Sequence, residues 1–273
     1  MNKIFVAYKP IFVSSNSYLS KLKKRDRVTK AGFSGTLDPF ACGALLVAYG
    51  KYTRLFQYIN KTPKVYRATL FLGLESDSLD IENIKNIHEV IKFDESFLKD
   101  LLQGFIGKVE FIPPKYSAKK INGVNAYKLA REGHDVTLKK AVMEVFFIKF
   151  LNYSHPFLSF EVGVSEGGYI RSLGELIANR LGSFGSLSYL ERISEGTLSY
   201  EGEKPLNPLE ILNMDIVNIN SNLTEKIQNG KKLSIDEVGY FKDCEFILKS
   251  DEFFSIVRGE NGMVEYLVNN IPI

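Results

Sequence analysis

The one acid in "AGFSGTLDPFACGALLVAYGK" (residues 31–51) is Asp38. Gly35, three positions earlier, permits a positive φ, and Pro39 restricts Asp38 to extended backbone. The carboxylate is therefore held in one pose. From Phe40 to Tyr49 the chain is uncharged, so Asp38 stands beside an apolar wall where an unpaired charge is costly. It needs a cationic partner, and a fixed, partly desolvated acid of this kind suits nucleophilic or general-base work. Taken alone, an Asp-Pro pair also fits an Asx-turn that caps its own backbone.

The elements that must position this acid are short strands alternating with modest helices. Alternation over "VYRATLFL" (65–72) puts Tyr66, Ala68, Leu70 and Leu72 on one face of a strand. Asp94 reads as the N-cap of a helix burying Phe97, Leu98, Leu101 and Leu102. "AVMEVFFIKF" (141–150) and "LSFEVGV" (158–164) read as two further strands, followed by the turn "SEGG". Ile170, Leu173, Leu176, Ile177 and Leu181 then recur at helical spacing, which places Arg171 at a strand-turn-helix junction. "EKPLNPLE" (203–210), with two prolines, reads as a linker. The expectation is a mixed α+β body, residues 1–203, followed by a small C-terminal region, residues 204–273.

Composition narrows the partners. Lys and Arg number 28 against 21 Asp and Glu in residues 1–203, but 7 against 11 in residues 204–273. "KLKKRDRVTK" (21–30) holds six cations, and "KYSAKKINGVNAYKLAR" (115–131) interleaves five with two tyrosines. Each stretch alone fits a solvated helix face; two of them beside aromatics suit a phosphate-rich partner. The apolar runs are too short for a membrane span and the N-terminus lacks a secretory signal, so a soluble, cytoplasmic protein is expected. Cys42 and Cys244 are too few for a disulfide framework. His88, His134 and His155 share no metal-ligand spacing, and neither metal nor redox chemistry is expected.

The stretch around Asp38 closely resembles the TruB-type tRNA pseudouridine synthases, whose pattern runs G-H-T-G-T-L-D-P-x-A-x-G-x-L; here it reads G-F-S-G-T-L-D-P-F-A-C-G-A-L. In phosphatases with a D-x-D-G-T nucleophile the acids precede Gly-Thr, which excludes that class. Five further segments match in family order. "YKPIFVSSN" (8–16) resembles K-P-x-G-x-S-S, and "KVYRATLFLG" (64–73) resembles the K-x-Y strand. "IPPKYSAKKINGVNAYKLAREG" (112–133) resembles the P-P-x-Y-S-A block. "SEGGYIRSLGELIANRLG" (165–182) resembles S-x-G-T-Y-I-R, with "LSYLERISEG" (187–196) as its L-x-R partner.

The resemblance implies a mixed, mainly antiparallel sheet flanked by helices, and isomerisation of a uridine in the T-loop of tRNA without a cofactor. The T-arm stem-loop of tRNA is then the partner, with neither a membrane nor an obligatory protein partner. It implies Asp38 as catalytic carboxylate, Arg171 as its cation through two parallel hydrogen bonds, and Tyr66 stacking on the flipped uracil. Leu190 matches a residue that walls the uracil pocket. Lys9 and Tyr116 match motif positions where supporting the pocket and binding RNA are both open. Phe33 replaces the usual histidine, which leaves stacking in the T-loop or packing under the turn as its role. Tyr8 and Phe12 replace an acid and a glycine, and Glu166 and Gly168 replace Lys and Thr. Residues 204–273 stand where many members carry a basic PUA domain and read as a reduced version, with two short strands around Gly259 to Gly262. The reading from a different class is a non-catalytic RNA-binding or tRNA-folding protein on the same fold; retention of Asp38, Tyr66 and Arg171 argues against it.

Overall fold

Strict alternation of burial along Lys64–Leu72 confirms the strand read from the sequence: Tyr66, Ala68, Leu70 and Leu72 all face the core. The computed structural model describes residues 1–117, 119–121, 123–132, 138–242 and 244–273. His134, and the side chains of Lys120, Tyr127 and Arg131 from the second basic stretch, lie outside that description. In chain order the body runs β1 (Lys3–Lys9), α1 (Ser15–Arg25), β2 (Ala31–Phe33), β3 (Cys42–Tyr49), β4 (Lys64–Leu72), β5 (Leu74–Ser76), β6 (Ile84–Ile87) and α2 (Glu95–Gln103). It continues through β7 (Gly107–Phe111), β8 (Lys120–Ile121), β9 (Val124–Asn125), α3 (Ala126–Arg131), β10 (Ala141–Ser154), β11 (Phe157–Val164), α4 (Ile170–Arg180), β12 (Gly185–Glu195) and β13 (Leu198–Ser199).

The main sheet has the order β1-β3-β12-β4-β11-β10-β7, with β2 added to β3 and β13 to β12. Its ladders are antiparallel except β12 against β3, so the α+β, mainly antiparallel expectation holds. Strand β3 is apolar throughout because both its faces are covered. Ala44, Leu46 and Ala48 face one cluster with Ile4 and Val6, while Leu45, Val47 and Tyr49 face another with Phe5 and Leu22. Asp94 caps α2 as expected, accepting from the amides of Ser96 and Phe97. Leu98 and Leu102 are buried and Leu101 packs against them. Phe97, expected inside, is half exposed: it lies at the solvent edge of that stripe, against Phe93.

The C-terminal region adds α5 (Pro208–Leu212), β14 (Ile216–Asn218), α6 (Ser221–Gln228), β15 (Leu233–Ser234), α7 (Ile235–Val238), β16 (Glu245–Lys249), β17 (Phe253–Glu260) and β18 (Met263–Pro272). The two expected strands are β17 and β18, joined through Asn261 and Gly262, both at positive φ as the favoured hairpin turn demands. They belong to a larger sheet, β14-β16-β17-β18-β15. Ile247, Phe254, Ile256, Val268 and Ile271 from this sheet share a cluster with Ile4, Val6, Leu46 and Leu55 of the body. The linker is itself pinned, since the Leu206 amide donates to the Ile4 carbonyl at 2.8 Å. Among the described residues no helix is long and apolar enough to cross a membrane.

Candidate active site

Asp38 lies in the loop between β2 and β3, and that loop is fastened on two sides. The buried Ser15 hydroxyl, from the first turn of α1, donates to the Leu37 carbonyl at 2.9 Å and accepts from the Leu37 amide at 3.0 Å. Lys9 at the end of β1 is fully buried, and its ammonium donates to the carbonyls of Pro10 (2.9 Å), Val13 (2.6 Å) and Pro39 (3.4 Å). Burial pulls that ammonium down to about 8, with Cys42 and Asp38 opposing. Lys9 thus braces the backbone beside Asp38 and does not face the cavity. Gly35 opens the loop at φ 62°, and a Cβ there would meet Arg192 and Lys64 at 3.0 Å and Glu195 at 3.1 Å. Conformation and space both require glycine.

Arg171, on the first turn of α4, is 2% exposed and is shared between two acids. Its Nη2 lies 2.8 Å from Asp38 Oδ2, and its Nη1 lies 3.2 Å from Asp80 Oδ2. The fork was expected to meet Asp38 through two parallel bonds. Instead the same nitrogens also donate to the carbonyls of Ser78 (2.7 Å) and Tyr116 (2.9 Å), and the second acid takes the other edge. Asp80 is equally buried and accepts from the Ser78 hydroxyl at 2.5 Å and the Glu82 amide at 2.9 Å. Burial raises its carboxyl, and Arg171 opposes that rise. Sharing a buried guanidinium between two acids leaves Asp38 aimed by a partner that is itself held from behind.

One cavity of about 460 Å³ opens beside this pair. Tyr66 and Leu190 contribute from β4 and β12, neighbouring strands whose register sets Tyr66 opposite Arg192 and Ala68 opposite Leu190. Tyr169, Ile170 and Arg171 contribute from the start of α4. Burial pushes the Tyr66 hydroxyl up, while Arg192 pulls the other way. Arg192 spans the floor: it donates to the carbonyls of Ala44 (2.8 Å) and Gly35 (2.9 Å) and pairs with buried Glu195 at 2.7 Å. At the mouth, Glu166 stands between Lys61 (3.6 Å) and Lys64 (3.5 Å), so the acid found there in place of lysine is neutralised locally. A flat aromatic, two aliphatic side chains and one aimed carboxylate offer a planar ring a slot with a reactive group at its edge.

The sequence model described as TruB family pseudouridylate synthase (N terminal domain) matches residues 23–170, more than half of the chain. The chain belongs to the TruB family. A protein named tRNA pseudouridine synthase B from a Nitratiruptor species is 51% identical over 272 residues, spanning 100% of this chain and 98% of the relative. The protein of that name from Campylobacter jejuni (strain RM1221) is 47% identical over 271 residues, covering 99% of each. Among solved structures, one titled "Crystal Structure of a Cbf5-Nop10-Gar1 Complex" aligns with a TM-score of 0.68 at 19% identity over 99% of this chain and 84% of that one. A structure of an H/ACA RNP bound to a substrate RNA containing 2'-deoxyuridine aligns with the same score at 18% identity, over 99% and 85%. At that identity the likeness shows the fold.

Of the residues picked from the TruB-type motifs, Asp38, Tyr66, Arg171 and Leu190 meet in the one cavity. Tyr116 lines a neighbouring cavity of about 450 Å³ on the other side of Asp38 and Arg171, together with Ser14, Ser15 and Asn16. Phe33 lines neither. It sits half buried on β2, opposite Val47 and against the cluster of Phe5 and Tyr49. Sequence reasoning missed Asp80, which follows a serine-rich turn with no signature of its own. It also missed Arg192, which stands inside the L-x-R segment and signals itself only through that match. In the first basic stretch, Arg25 is held by Asp26 (2.8 Å) and Glu203 (2.6 Å).

Proposed function

We propose that this TruB-family enzyme converts uridine to pseudouridine in tRNA, acting on a uridine of the T-loop that has left the helical stack. The supporting observation is the meeting of Asp38 with Arg171, Tyr66 and Leu190 in one cavity. The reaction breaks the bond from ribose C1′ to N1 of uracil, joins C1′ to C5, removes the C5 proton and leaves a proton on N1, so no net oxidation occurs. Asp38 supplies the attacking or proton-accepting carboxylate, at C1′ or at C6, and Arg171 keeps it ionised and aimed. Tyr66 and Leu190 hold the two faces of the ring while the bond to N1 is open. Residues 1–203 form the catalytic unit in this reading, and residues 204–273, with their own sheet, a small unit of reduced PUA-like kind.

Incubation with an unmodified tRNA transcript, followed by carbodiimide labelling and primer extension, tests the reading. One new stop in the T-loop supports it. A stop elsewhere overturns the T-loop assignment, and no stop overturns the activity on tRNA.

A further inference from the structure

Phe12 sits in the turn between β1 and α1 with φ at 60°, in the left-handed region that glycine enters freely and a residue with a bulky side chain enters only at a cost. Burial does not offset that cost. The residue is 65% exposed, and its ring makes no aromatic or cation contact with another described residue. Ile11 beside it is 39% exposed, so the tip of the turn presents apolar surface to solvent. The base of the turn is rigid. The buried Lys9 ammonium ties the carbonyls on either side of the tip, those of Pro10 and Val13, to the carbonyl of Pro39, the residue after Asp38. Two residues past Val13, Ser15 is bonded twice to Leu37. An exposed, strained aromatic is thus fixed in place relative to the catalytic loop. Ser14, Ser15 and Asn16, which continue from it, line the second cavity next to Asp38.

We propose that Phe12 is a binding residue for the substrate RNA, stacking on an unpaired base that flanks the uridine in the cavity. This rests on the tRNA reading given above. The charge around it fits a polyanion: the first 25 residues contain six Lys and Arg and no acid. A base presents a flat face that an exposed phenyl ring can cover whatever its identity, and taking a uridine out of a loop leaves its neighbours without a stacking partner. The strain at φ 60° then serves to hold the ring out of the protein before RNA arrives.

Phe12→Gly separates this role from a structural one, because glycine relieves the backbone and removes only the ring. With unmodified tRNA, the Kd of the variant should rise about 5- to 20-fold. The single-turnover rate at saturating enzyme should stay within about twofold, and the melting temperature should hold or rise. Stacking carries no counterion release, so the loss should persist at high salt, whereas a lost phosphate contact would fade. Phe12→Trp should bind like the parent. In a set of tRNAs carrying one abasic site each, the difference between parent and Phe12→Gly should vanish for the base that the ring covers. Parental affinity in Phe12→Gly, or a melting temperature several degrees lower with binding restored on cooling, overturns the proposal. Parent enzyme inactive on tRNA overturns the substrate reading and this one with it; active parent enzyme and an indifferent Phe12→Gly overturn this one alone.

Discussion

Arg171 and Arg192 in the body and Lys242 and Arg258 in the C-terminal region are all ion-paired cations, yet their surroundings are opposite. The Arg171 and Arg192 side chains are 2% and 1% exposed and meet acids that are largely buried with them. Lys242 pairs with Asp215 and Arg258 with Glu245 at the surface, at 69% and 46% exposure. Taking a charge out of water costs several kcal/mol even when it is paired, and an apolar replacement is often as stable. A surface pair contributes about 0–1 kcal/mol and costs little to keep. Buried pairs around the cavity are therefore held at the expense of stability, as the proposed chemistry at Asp38 would require. The pairs in residues 204–273 lie outside a mainly apolar core, whose fully buried polar side chain, Ser255, is uncharged and donates to Asn269 at 2.6 Å.

The sharpest way to break this contrast is Asp38→Asn, which keeps the shape and removes the reactive group. Turnover on tRNA should fall below detection while the Kd stays within about threefold. Pseudouridine formed at an appreciable rate by this variant would remove Asp38 from the mechanism. Arg171→Lys comes next, with an expected loss of about 100-fold in single-turnover rate, because a point charge cannot meet two carboxylates and two carbonyls at once. Lys242→Met should leave the same rate unchanged, and equal effects of the two substitutions would dissolve the distinction between the regions.

A third effect concerns binding alone. Replacing Lys21, Lys23 and Lys24 by Gln should lower the slope of log Kd against log salt by about 2, whereas the same change at Lys231, Lys232 and Lys242 should leave the slope as it was. Matching slopes would return the first basic stretch to a solvated helix face. The smallest effect belongs to Lys9. Its ammonium sits at about 8 in the folded chain against 10.5 for an ordinary lysine, so between those values the unfolded chain binds the extra proton. Its part of the stability is therefore lowest below pH 8 and rises with pH through that window, by about 1 kcal/mol per unit. Urea melts at pH 8 and pH 10 should show that gain in the parent and lack it in Lys9→Met.

Legibility in the sequence followed the range of the interactions. Tyr66 and its strand were readable because period two is local, and the cap at Asp94 because capping spans three residues. Arg171 was readable as a junction residue with a family match, but its division between two acids was not, since Asp80 lies 91 positions away and is brought in by the β5–β6 hairpin. Lys9 was ambiguous because its partners are three backbone carbonyls, which leave no mark on side-chain pattern. In the C-terminal region the hairpin was read as two short strands around Gly259 to Gly262, whereas β14 and β15, of three and two residues, are too short for alternation to register. Phe33 had a motif position but lies on a strand edge away from the cavity, a placement set by its pairing with Val47.

The apolar cluster shared by the two sheets has a consequence for how the molecule comes apart. Ile4, Val6 and Leu46 are covered from behind by Phe254, Ile256 and Val268, and the opposite face of the same strands carries the Lys9 brace and the loop of Asp38. Detaching residues 204–273 would uncover the back of β1 and β3, the strands that carry the Lys9 brace and flank the loop of Asp38. The acidic C-terminal region is thus packed on the body through a shared apolar cluster, unlike a bead on a flexible string, and its removal should lower the melting temperature of what remains.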